Sequence, residues 1–294
     1  MKNFLLVLVS IVWGSTFFII KDTVASVHPF YIVLGRMLMA SIPMILFVFI
    51  KNKRSLWNKK AIINGSILGL LLTCTYISQT IGLQYTSSGH SAFITGIAVV
   101  LVPILLVLIY RQRIKKTEVI SILIVMVGLF LLTYDLDTHF NKGDLITFIT
   151  SFSLAFHIIL SGRFVKTTES LSLITYQFVS GSIYCGIASL FIASNNDFEA
   201  ISISFDSLIA IMYLGAFGTL FCYFISVWVQ KYESSVKVAL IFSLEPVFAA
   251  LFAYLFVNEV LSFKEMIGTL LILIGVLLYQ LFKSRSLRRS TTMA

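Results

Sequence analysis

A carboxylate inside an apolar run needs an explanation, because a charged side chain at the centre of a membrane-length helix costs upward of roughly 2.5 kcal/mol. Glu245 is such a residue. It sits within residues 238–257, a near-continuous apolar stretch long enough to cross a bilayer as a helix. Pro246 follows it, removing one backbone hydrogen bond and freeing a carbonyl one turn earlier. Irregular backbone at that depth is tolerated where protein or a wet cavity covers it, so this segment should line something. At helical spacing Phe242, Glu245, Ala249 and Phe252 would share one face. Glu245 either faces a cavity, where it binds a cation, takes a proton or gates, or it pairs with a neighbouring helix.

The other polar residues in apolar runs read in the same two ways. Arg36 would hold a substrate carboxylate, or would pair a buried acid or reach the interface. Trp13 would stack on a substrate or fill a helix contact. His157 would shuttle protons or be a satisfied structural histidine. Gln79, Gln177, Tyr76 and Tyr223 are polar handles inside apolar segments. Glu259 follows where the apolar run of 238–257 stops, as a structural or gating charge. Pro43, Pro103 and Pro246 are expected helix kinks. Cys74, Cys185 and Cys222 lie in apolar runs without a C-x-x-C spacing and read as packing residues, with no metal site expected. No P-loop, H-E-x-x-H or G-x-S-x-G pattern is present, so neither an ATP-driven step nor a recognisable enzyme is expected, and no cofactor.

The elements that must position these residues are membrane spans. Of 294 residues 58% are apolar and 12% charged, and the mean hydropathy is +0.97; soluble domains carry about 25% charged residues. Ten apolar segments follow one another, at 4–21, 30–50, 61–83, 91–110, 118–134, 144–162, 172–193, 207–229, 238–257 and 266–282. The first is read as an uncleaved span, since no small-x-small cleavage site follows it. Alternate joins hold 18 Lys and Arg on one side and 3 on the other, with Arg36 inside a span. The positive-inside rule then puts both termini in the cytoplasm of an inner or plasma membrane. The net charge of +9 is explained by these joins, and no nucleic-acid partner is expected.

The chain repeats itself at a shift of 147 residues. Tyr76 falls on Tyr223, Tyr85 on Tyr232, Ser87-Ser88 on Ser234-Ser235, Glu118 on Glu265 and Gly128 on Gly275. The first two spans of each half align at a shift near 141, placing Arg36 on Gln177. Five spans per half is an odd number, so equivalent helices run in opposite directions. The expected fold is an all-α integral membrane protein with ten transmembrane helices in two inverted five-helix repeats, over residues 1–136 and 137–284, with a basic cytoplasmic tail at 285–294. Inverted halves sharing a midplane site are the architecture of secondary transporters.

The run S-L-E-P-V-F-A-A-L-F-A-Y-L-F-V-N-E-V-L-S at 243–262 resembles the ninth helix of the drug/metabolite transporter superfamily in its EamA-like branch. The Trp13-Gly14-Ser15-Thr16-Phe17 stretch is similar to that family's first helix. The resemblance covers almost the whole chain. It implies a carrier of small metabolites, with export of amino acids or related amphipathic compounds the commonest theme, energised by protons or by the substrate gradient. The alternative within transport is efflux of cationic or lipophilic drugs with Glu245 as counter-ion. The competing class is a membrane enzyme or a non-transporting scaffold. The expected partners are a small-molecule substrate and the bilayer, and two halves in one chain make a monomer sufficient.

Overall fold

The computed structural model describes the chain except residues 52–56, 134–140, 196–202, 258–260 and 293–294. Among the described residues every regular element is helical and ten spans are long and apolar enough to cross a membrane. The helices are α1 (Lys2–Thr23), α2 (Pro29–Lys51), α3 (Lys59–Tyr85), α4 (Ser88–Gly96), α5 (Ala98–Tyr110), α6 (Lys116–Thr133), α7 (Lys142–Phe164), α8 (Ser170–Asn195), α9 (Phe205–Tyr213), α10 (Cys222–Gln230), α11 (Ser235–Phe242), α12 (Glu245–Val257) and α13 (Phe263–Thr292). α13 runs on to Thr292, through residues read from sequence as a separate tail. Large apolar side chains such as Leu46, Leu108, Leu190 and Phe256 face outward, as a hydrocarbon surround requires.

The repeat is visible in contacts that the two halves exchange. A Cβ added to Gly128 would lie 2.8 Å from the Gly268 carbonyl, and one added to Gly275 would lie 2.9 Å from the Ser121 carbonyl. The 147-residue shift turns the first contact into the second. Close approach of α6 and α13 therefore depends on glycine at matched places, because small residues let membrane helices pack backbone to backbone. Likewise Ser10 Oγ donates to the Ile241 carbonyl at 3.1 Å, and Ser151 Oγ donates to the Ile94 carbonyl. Lys2 Nζ stands 4.0 Å over the Tyr232 ring while Lys142 Nζ stands 3.7 Å over Tyr85. Each of these joins the first helix of one half to the third and fourth spans of the other.

The Ser-Ser pairs that signalled the repeat are helix N-caps. Ser87 Oγ accepts the His90 backbone N–H at 3.1 Å, and Ser234 Oγ accepts that of Lys237 at 3.3 Å. Both satisfy a donor that the first helical turn leaves free. His90 is buried, with Nδ1 3.7 Å from Asp144 Oδ1. Asp144 closes a capping box with Asn141 and accepts from Thr86 Oγ1 at 2.5 Å. Lys21 donates to the Leu83 and Thr86 carbonyls at 2.7 and 2.9 Å, satisfying carbonyls at the end of α3.

The fourth and ninth spans are broken, at Ile97 and at Ser243–Leu244. The shift of 147 carries Ile97 onto Leu244. Only the second break adjoins a proline, Pro246. Pro103 lies within α5 beyond its break, and Pro43 within an uninterrupted α2. The break therefore follows the position in the repeat and not the proline. It also separates Phe242, on α11, from Glu245, the first residue of α12. The single helical face expected from Phe242 to Phe252 does not form; Phe252 stacks outward on Phe256 at 6.1 Å.

Candidate functional site

The two helix breaks flank a cavity in the middle of the bundle. It is lined by Trp13 and Thr16 of α1, Arg36 of α2, Thr75, Tyr76 and Gln79 of α3, Thr95 of α4, Leu154 of α7, Tyr223 of α10 and Glu245 of α12. About 20 Å³ of it is open to the centre of a water molecule, room for one or two waters. Buried apolar side chains pack on either side of it. Leu6, Val9, Val99, Val102, Ile158 and Leu240 pack toward the face bearing the N-terminus. Phe17, Ile20, Leu83, Ala92 and Ala249 pack toward the other.

One wall is built around an irregular helix. Residues Leu214–Phe221 form a π-helical segment joining α9 to α10, a feature frequent at functional sites. The Gly218 carbonyl in it accepts from Trp13 Nε1 at 2.8 Å and from Tyr76 Oη at 3.0 Å. Thr219 Oγ1 donates to the Leu214 carbonyl at 2.9 Å and accepts from Arg36 Nε at 2.9 Å. A Cβ at 218 would fit tightly, 3.0 Å from Thr16 Cγ2 and 3.2 Å from Arg36 Nη2.

Arg36 is 1% exposed and its guanidinium lies 3.5 Å over the Tyr76 ring. Stacking and the bond to Thr219 hold the plane of the fork, yet Nη1 has no hydrogen-bond partner. Among the described residues neither Arg36 nor Glu245 forms an ion pair. Glu245 is 7% exposed. Its place at the start of α12 sets its carboxylate near the positive end of the helix dipole, offsetting part of the cost of burial. A buried ionisable group without a partner is costly, and this cavity holds one acid and one base.

Trp13, Tyr76 and Tyr223 give the lining an aromatic part, against which further rings pack. Tyr223 sits 5.2 Å from Trp13, 5.8 Å from Tyr76 and 5.0 Å from His157, ring centre to ring centre. Phe242 meets Trp13 edge-on at 4.8 Å. Gln79 Nε2 reaches Thr95 Oγ1 at 3.5 Å.

Six residues singled out from sequence thus meet at the lining: Trp13, Arg36, Tyr76, Gln79, Tyr223 and Glu245. Phe242, His157 and Gln177 stand outside it. His157 Nε2 is 3.1 Å from Gln177 Oε1, and Gln177 Nε2 is buried without a partner. Glu259 lies outside the described residues. Thr75, Thr95, Leu154 and Thr219 were not foreseen. A threonine in an apolar helix ordinarily bonds back to its own backbone, so its sequence carries little signal. Only the neighbourhood of Thr75 to Tyr76, and of Thr219 to Gly218, could have pointed to them.

The EamA-like transporter family description matches residues 1–134 and again 141–281. The chain belongs to the EamA-like transporter family. This member is 29% identical over 276 residues to an uncharacterized transporter of Archaeoglobus fulgidus, covering 94% of this chain and 84% of that protein. It is 28% identical over 280 residues to the uncharacterized transporter YyaM of Bacillus subtilis, covering 91% and 90%. A crystal structure superposes with a TM-score of 0.77 over 95% of this chain and 96% of the other at 13% identity, which speaks to the fold alone. The protein is a multi-pass membrane transporter of this family.

Proposed function

We propose that this EamA-like transporter is a secondary carrier of small amphipathic metabolites, amino acids or closely related compounds, working by alternating access without catalysing a reaction. The observation that carries the reading is the cavity between the two halves, in which Arg36 and Glu245 both lack an ionic partner among the described residues. A carboxylate on the Arg36 fork and an ammonium on Glu245 would satisfy both charges at once. The Trp13, Tyr76 and Tyr223 rings suit the apolar part between them. A lone lipophilic cation would satisfy Glu245 and leave Arg36 uncompensated, so the metabolite reading accounts for more of the site. Broken helices ending at the cavity and exchanged contacts at both faces support a rocking of one half against the other. The excess of Lys and Arg in alternate joins supports a cell membrane with both termini cytoplasmic.

Purified protein is melted with and without millimolar amino acids, amines and lipophilic cations, since a ligand of the folded state raises its apparent stability. Hits are then followed as counterflow in proteoliposomes. Zwitterions should stabilise and be exchanged, and Arg36→Gln and Glu245→Gln should each abolish the shift. Stabilisation by lipophilic cations alone, lost in Glu245→Gln and kept in Arg36→Gln, would establish drug efflux instead. Absence of any flux across the panel would overturn the carrier reading.

A further inference from the structure

Away from the cavity, α5 and α6 diverge from the short turn that joins them and leave a groove of about 310 Å³ on the outer surface. Its walls are apolar throughout, with Pro103, Val107 and Leu108 on one side and Val119, Leu123 and Met126 on the other. Leu108 is 72% and Leu123 55% exposed, so the fold itself does not cover the rim. The α5 wall begins at Val100; from there to Leu108 the helix rises about 12 Å, close to the roughly 15 Å of hydrocarbon in one leaflet. The groove has the depth of an acyl chain.

Its mouth is basic. The turn between α5 and α6 carries Arg111, Arg113, Lys115 and Lys116, all exposed, with Ile114 folded inward to line the groove. Glu118, the acid nearest this turn in sequence, accepts the Lys115 backbone N–H at 3.0 Å. Arg111 has φ 50° and ψ 29°, a left-handed conformation costing about 1–2 kcal/mol for a residue other than glycine or asparagine. The repeat places Asn258 at the position of Arg111, and Val260, Ser262 and Phe263 at those of Arg113, Lys115 and Lys116. The five-helix unit therefore does not require a basic turn here, and the first half carries one at a conformational cost.

We infer that this groove binds an anionic phospholipid, with one acyl chain between α5 and α6 and the headgroup phosphate on Arg111, Arg113 and Lys116. Basic residues beside a membrane attract anionic lipid, each by about fivefold in affinity, and the guanidinium fork suits phosphate oxygens. The test is native mass spectrometry of the delipidated full chain, titrated with dioleoyl phosphatidylglycerol or dioleoyl phosphatidylcholine. One phosphatidylglycerol should bind more tightly than the rest and in preference to phosphatidylcholine. The triple variant Arg111→Gln/Arg113→Gln/Lys116→Gln should weaken that binding on the order of a hundredfold. Lys59→Gln/Lys60→Gln, exposed lysines in another join, should leave it within about threefold. Val107→Trp, which fills the groove and keeps the charges, should abolish the tight lipid and serves if the triple variant does not fold. Equal binding of the two lipids, an equal loss in the Lys59/Lys60 variant, or a groove occupied by a second copy and seen as a lipid-free dimer would each overturn the assignment.

Discussion

Replacing Gly14 by alanine should separate α1 from α12 and destabilise the protein. The added Cβ would lie 2.8 Å from Phe248 Cβ, 2.9 Å from the Ala249 backbone nitrogen and 2.9 Å from the Glu245 carbonyl oxygen. Carbon atoms rest at about 3.5–4.0 Å, so α1 must retreat by about 0.5–1 Å. Two of the three obstacles are backbone atoms, and no rotamer change clears them. Overpacking of this kind costs typically about 1–3 kcal/mol, against a gain of up to about 1 kcal/mol from alanine's helix propensity. Gly89 supplies the control. It is exposed at the start of α4, and a Cβ there would meet nothing within 4 Å, so Gly89→Ala should be neutral or slightly stabilising. The two variants should differ by about 2 kcal/mol, or about 4–8 °C in melting temperature, read by thermal unfolding in detergent at one protein concentration. Because the first turn of α12 carries Glu245, Gly14→Ala should also weaken the stabilisation given by substrate. If Gly14→Ala melts at or above Gly89→Ala, the close approach of α1 and α12 is not as described.

Asp144→Asn removes a carboxylate that serves Thr86, the Asn141 backbone and His90 together, and should lower stability by about 1–3 kcal/mol; a melting temperature within 1 °C of the parent would contradict the cluster. Trp13→Phe and Tyr76→Phe each leave the Gly218 carbonyl one remaining donor, so each alone should cost about 1 kcal/mol. Together they orphan that carbonyl, and the double variant should lose at least about 1 kcal/mol beyond the sum, measured as a double-mutant cycle in urea or heat. A strictly additive cycle would mean that the carbonyl finds another partner.

The spans and their repeat are written in composition. A bilayer demands about twenty apolar residues per helix, so length and hydropathy place all ten, and the exchanged Gly128 and Gly275 contacts agree with the 147-residue shift. Glu245 and Arg36 were legible for the same reason: a charge in an apolar run must have a use. Which charges meet was not legible. Sequence left Arg36 with a substrate carboxylate, a buried acid or the interface as partner, and the fold places it over Tyr76 with one nitrogen unsatisfied. Proline chemistry pointed to kinks at Pro43, Pro103 and Pro246, but not to the matched breaks at Ile97 and Ser243–Leu244, which follow position in the repeat rather than local bonding. Nor did any local signal mark the π segment that turns the Gly218 carbonyl toward Trp13 and Tyr76. Membrane hydropathy is a property of each segment, set by its own transfer from water to lipid. The cavity is a property of seven helices converging from both halves, set by packing between residues up to 232 positions apart, as Trp13 and Glu245 are.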